Sequence, residues 1–186
     1  MKHAATFVLA LVLGGATCAH AVPVPKDGWG YEEDVTLDIG VLGTVRVETS
    51  SDTIKHFAFA GRVLLDSYHD LLWQPVGPIQ RSDRVIPVLV NTGGSGCPFE
   101  MRFVVLTDPA TPQVTEPFGN CTSMPAAIDR TPSGWRVVFH AYRGAPSFAQ
   151  RKPTGKTATF LFHDNAVFAV HGNKETKLSQ LGPFPK

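Results

Sequence analysis

Apolar residues in this chain recur at every second position far more often than at helical spacing, which restricts it to pleated sheets. Val35, Leu37 and Ile39 alternate with Thr36 and Asp38, and Val45 and Val47 alternate with Thr44, Arg46 and Glu48. Gly40 and Gly43 suit the turn between these two runs. Short strands are predicted at Phe57 to Phe59, Arg62 to Leu65 and His69 to Trp73. Arg84 to Asn91 reads as a strand that Pro87 demotes to an edge or bulged position. Phe99 to Thr107 turns at Asp108-Pro109 into Gln113 to Phe118, and Gly134 to Tyr142 is a further strong strand. Thr157 to His163 and Ala166 to His171 flank Asp164-Asn165, a two-residue turn of the type I′ kind. No window holds a capped amphipathic helix; only Arg62 to Leu72 also fits helical spacing. Many short strands between Gly- and Pro-rich turns indicate an all-β fold, an antiparallel sandwich or open barrel.

The amino terminus has a different character. Met1-Lys2-His3 is followed by an apolar run from Ala4 through Gly15 and then by Ala19-His20-Ala21. A short positive start, an apolar core of about 12 residues and a small-x-small end make a secretory signal. That core falls short of the roughly 20 residues a membrane span needs. Lipidation at Cys18 would want a branched apolar residue three positions earlier, where Gly15 stands. The chain therefore divides into a signal peptide at 1–21, an extended Pro- and Gly-rich arm at 22–33 and one β domain at 34–186. The expected location is the periplasm or the exterior, with no stable membrane insertion after cleavage.

Charge narrows the partners. The chain carries 17 Lys and Arg against 16 Asp and Glu, and loss of Lys2 with the signal leaves the remainder formally neutral. A nucleic-acid partner calls for a basic stripe, which this balance does not provide. Two cysteines remain after cleavage, Cys97 and Cys121, and in an exported chain they most simply pair. Folding Phe99 to Thr107 back on Gln113 to Phe118 would carry both cysteines to the same end of that hairpin.

Catalytic motifs do not survive inspection. Thr92-Gly-Gly-Ser-Gly-Cys-Pro98 places Gly93 two residues before Ser95 but Cys97 two after it, so it is no nucleophile elbow. No Lys-Ser/Thr pair follows the glycines, which excludes a P-loop. His56, His69, His140, His163 and His171 show no metal-ligand spacing, and His163 and His171 fall at opposite ends of one hairpin. A trio of Ser95, His140 and Asp164 is one arbitrary choice among many. No cofactor and no metal site is expected.

Gly93-Gly94-Ser95-Gly96-Cys97-Pro98, a strand, then Phe118-Gly119-Asn120-Cys121 resembles a pattern in small uncharacterised secreted proteins of proteobacteria. The resemblance covers residues 92–122. It implies a disulfide-closed β-hairpin and an envelope location, and it implies no activity.

Two long loops stand out, Gln74 to Asp83 and Arg143 to Lys156. The second concentrates Arg143, Arg151, Lys152 and Lys156, the candidate partner-binding residues, between two strongly apolar strands. The hairpin from Thr157 to His171 is apolar on both faces, Phe160 and Phe162 on one and Leu161 and Phe168 on the other. Such a hairpin lies between layers or offers one face to a partner. The expected function is non-enzymatic binding of an envelope or effector protein, in the manner of an inhibitor or immunity protein. A small envelope hydrolase with a dispersed site and a structural envelope factor are the alternatives.

Overall fold

The computed structural model describes residues 19–22, 34–49, 55–67, 72–91, 99–119, 124–143 and 152–184. Among them there is no α-helix, and all strand pairing is antiparallel. Fifteen strands form three sheets: β1 (Ala19–Val22), β2 (Val35–Asp38), β3 (Thr44–Thr49), β4 (Lys55–Phe59), β5 (Arg62–Ser67), β6 (Leu72–Pro75), β7 (Gly77–Gln80) and β8 (Val85–Asn91), followed by β9 (Phe99–Val105), β10 (Gln113–Thr115), β11 (Pro125–Thr131), β12 (Gly134–Arg143), β13 (Lys152–His163), β14 (Ala166–His171) and β15 (Lys174–Pro183).

Nine strands make one sheet in the order β11-β12-β13-β14-β15-β10-β9-β8-β6. The sheet curls, because residues four ladder steps apart touch: the Phe103 ring of β9 lies 4.7 Å from Phe162 of β13. Phe118 lies 5.2 Å from Phe103 and 5.4 Å from Phe160, and Phe160 meets Phe139 edge-on at 5.7 Å. Rings offset or edge-on at these separations are favoured pairings, so aromatic residues at alternate positions fill the hollow.

A four-stranded sheet, β2-β3-β4-β5, covers the other face of the β6-β8-β9 end. Trp73, Val90 and Glu100 are cross-strand partners and share that face. Phe57 of β4 stands 6.1 Å from Trp73, and Phe184 joins both rings. Val88 and Leu89 point to opposite faces of β8 and both are fully buried, as a strand between two layers requires.

Pro87 was expected to mark an edge or bulged strand, yet β8 lies inside the sheet between β9 and β6 and pairs with both without a register shift. The Pro87 carbonyl accepts from the Val76 N–H, which lies just past the last β6 partner, Pro75 opposite Val88. Polar groups of one residue point to one side of a strand, so the missing proline N–H falls where β6 has already ended. The stretch expected to be a loop at Gln74 to Asp83 contains β7. Residues Arg62 to Ser67 are a strand, which removes the helical option there. The turn at Gly40 to Gly43 contains a single 3₁₀ turn, Gly40–Leu42, and just before it Asp38 Oδ1 accepts from the Gly40 N–H.

β7 fastens the curl. It continues directly from β6, the last strand of the large sheet, and it lies against β11, the first. Arg130 Nε donates to the Pro78 carbonyl at 3.1 Å. At Gly77 the backbone has φ +95°, and a Cβ there would come within 2.9 Å of Ile128 Cγ2. Both facts reserve this position for glycine.

Candidate functional site

The cations singled out in the sequence belong to an extended hairpin more than to a loop. β12 runs on to Arg143 and β13 begins at Lys152, so the connection shortens to 144–151. Strand pairing persists because β-branched Thr157 and Thr154 and aromatic Tyr142 favour pleated backbone on either side of the bulge between His140 and Tyr142. In this ladder Arg143 stands directly opposite Lys152, and Tyr142 stands opposite Pro153. Lys156 is exposed, and its N–H donates to Thr154 Oγ1 at 3.3 Å. Arg151 lies outside the described residues, as do Ser95, Cys97 and Cys121.

The outer face of the same hairpin carries the second half of the site. Phe160 and Phe162 point inward and are buried, whereas Leu161 and Phe168 face outward and are half-buried. Cross-strand partners extend an outward row from Asp129 through Arg136, Leu161 and Phe168 to Lys177. Arg136 grips Asp129 Oδ2 through Nε at 3.1 Å and Nη2 at 2.6 Å, which keeps one end of the row charged but neutralised. Leu178, the extra residue of a bulge in β15, is half exposed beside it. An apolar strip rimmed by charges results.

At the other end of β13, about 35 Å from Lys152 at strand rise, His163 forms a cluster that the sequence did not single out. Its ring stacks flat on Phe168 with centroids 4.3 Å apart. Nδ1 lies 2.9 Å from Asp164 Oδ2, and Nε2 lies 2.9 Å from Glu175 Oε2. A neutral imidazole has one N–H, so only the protonated ring donates to both carboxylates. The Asp164 hydrogen bond, above all, holds the His163 pKa above its ordinary value; burial opposes this, and Glu175 adds to it. Asp164 and Asn165 adopt φ +49° and +56°, as the predicted type I′ turn demands, and this turn brings Asp164 onto its neighbour's ring.

Beside His163 lies an open cavity of about 320 Å³ whose wall includes Asp83, Arg84, Arg130, Ser133 and Trp135. Arg130 is ion-paired with Asp83 and lies 4.7 Å over the Trp135 ring. Asp83 is buried and also accepts from the Gln80 N–H at 2.8 Å. Nothing in the sequence could have joined Asp83, Arg130 and His163, because they come from three separated segments. Among the described residues, no three of His, Cys, Asp and Glu are grouped to hold a metal ion. Of the trio Ser95, His140 and Asp164, the last two are described; Asp164 is engaged by His163, and His140 is exposed on β12.

The chain matches no protein-family model, no curated protein and no solved structure. The class defined by the geometry is therefore structural: an all-β protein built on a curled antiparallel sheet with a long cationic hairpin.

Proposed function

We propose that this chain is a periplasmic or secreted, non-enzymatic binding protein that captures an acidic protein partner of the cell envelope, in the manner of an inhibitor or immunity protein. The observation that carries the reading is the register of Arg143 against Lys152. Like charges directly opposite one another destabilise a strand pair, so a fold gains nothing by placing them there unless a ligand neutralises them. Arg151 adjoins Lys152 in the sequence and Lys156 follows on the same strand, which extends the positive field. The cationic end steers an acidic partner by long-range attraction, and the apolar strip at Leu161 and Phe168, about 30 Å further along the same hairpin at strand rise, gives it surface to bury.

The export signal supports the location. An isolated bridge supports the Cys97–Cys121 pairing: Met101 of β9 and Phe118 exchange both backbone hydrogen bonds at 2.9 Å, four residues after Cys97 and three before Cys121 in the sequence. The test is capture from envelope extract with the wild-type chain and with Arg143→Glu/Lys152→Glu. Retention of an acidic partner by the first and its loss from the second, with unchanged circular dichroism, is the expected result. Equal retention by both chains refutes the reading.

A further inference from the structure

β1 sits in an unexpected place. Ala19–Val22, the end of the export signal and the first residue after its cleavage site, forms an antiparallel strand on β7, with Ala19 opposite Gln80, His20 opposite Ile79, Ala21 opposite Pro78 and Val22 opposite Gly77. The sides of β7 can be assigned from its other bonds. The Pro78 carbonyl accepts from Arg130, the Gln80 N–H donates to Asp83, and the Gln80 carbonyl accepts from the Asp83 N–H at 3.0 Å. Polar groups of alternate residues point to opposite edges, so those of Gly77 and Ile79 face β1. Ile79 is fully buried, and the segment that meets its backbone N–H and C=O is centred on His20.

Cleavage after Ala21 removes three of the four residues of β1. Ile79 then keeps its place in the core, because Arg130 and Asp83 hold β7 from the opposite edge, but its own backbone pair loses its partner. Once β1 is gone, the N–H and C=O groups of Gly77 and Ile79 form an unpaired sheet edge, which is a ready template for another strand. We propose that maturation turns β7 into a docking edge that accepts an extended segment of a partner protein by strand addition. The seated segment defines the ligand chemistry: an uncharged stretch with free N–H groups opposite Gly77 and Ile79. At the positions opposite Pro78 and Gln80 it carries small residues, as Ala21 and Ala19 do. This inference rests on the export reading above, since an uncut chain fills its own edge. It places a second contact near the Arg130 cavity, far from the cationic end of the long hairpin.

The experiment uses the protein purified from the periplasm, with its mass recorded first. A fluorescein-labelled peptide of residues 19–22 between Gly-Ser flanks is then titrated in. The expected results are a mass that begins at Val22 and saturable binding. A peptide N-methylated at the position of His20 should bind at least tenfold more weakly, and so should the unprocessed chain retained by Ala21→Leu. A cleaved chain that ignores the peptide, or that binds the N-methylated form equally well, overturns the docking edge and leaves the export reading standing. A mass that begins at Met1 overturns both.

Discussion

His163 shows how much of a site can rest on one side chain. Its two carboxylate contacts need a proton on each ring nitrogen, and its raised pKa belongs to the folded state. The stability it contributes is therefore complete below the unfolded histidine pKa of about 6.5 and fades as pH rises through the higher folded value. Glu175→Gln should bring the His163 pKa, read from imidazole NMR shifts, back toward the ordinary value. It should lower the melting temperature more at about pH 5.5 than at about pH 8.5, because the contribution fades as pH rises through the raised folded value. An equal loss at both pH values would show that Glu175 acts through packing alone. Histidine identity is visible in a sequence, but its partners are not: Asp164 is its neighbour, whereas Glu175 reaches it only because β15 folds back beside β14. Pro87 teaches the same lesson in reverse. Its lost N–H was foreseeable, yet its tolerance inside the sheet depends on where a different strand, β6, happens to end.

At the scale of elements, the strands that alternate in sequence are the ones the structure contains, and the strands that were missed do not alternate. β15 exposes five positions in a row, Lys174 to Leu178, before Ser179 turns inward, so no period-two apolar signal marks it. β11 opens on Pro125 and buries little besides Ile128, and β7 has only Ile79 deep in the core. Their pairing is dictated by neighbours that need covering, which is tertiary information. The opposed cations of the long hairpin make an unusual stability prediction. Lys152→Glu should convert repulsion across the ladder into attraction and stabilise the chain by about 0.2–1 kcal/mol, while it weakens capture of an acidic partner. Denaturant midpoints and a binding titration on the same preparation check both halves; a destabilised variant would contradict the register. The expected bridge gives a second test. Under non-reducing conditions Cys97 and Cys121 should not react with thiol reagents, and Cys97→Ser should cost about 3–4 kcal/mol through the loop the bridge closes. Free thiols in the native protein would remove it.

At the scale of the whole molecule, closure of the curl depends on β7 and on the aromatic filling. Gly77→Ala forces a side chain into both a left-handed backbone and Ile128, and Phe103→Ala empties space between Phe118 and Phe162. The second change should cost about 3–5 kcal/mol by chemical denaturation, as large core aromatics do. A cost under about 1 kcal/mol would mean that the hollow collapses around the gap. The sheet class was legible because alternation and turn residues agree along most of the chain. The curl was not, since the β15-β10 pairing joins segments that no local pattern relates. The functional proposal rests on charge placed against a neutral background, and charge has a kinetic signature. Association of the wild-type chain with its captured partner should be followed by stopped flow at about 50 mM and about 500 mM salt, where the screening length falls from beyond 10 Å to a few ångströms. The account predicts an association rate that drops at least tenfold across that range for the wild type, and a slower rate that barely changes for Arg143→Glu/Lys152→Glu. Rates that are equal in the two proteins and indifferent to salt would contradict it.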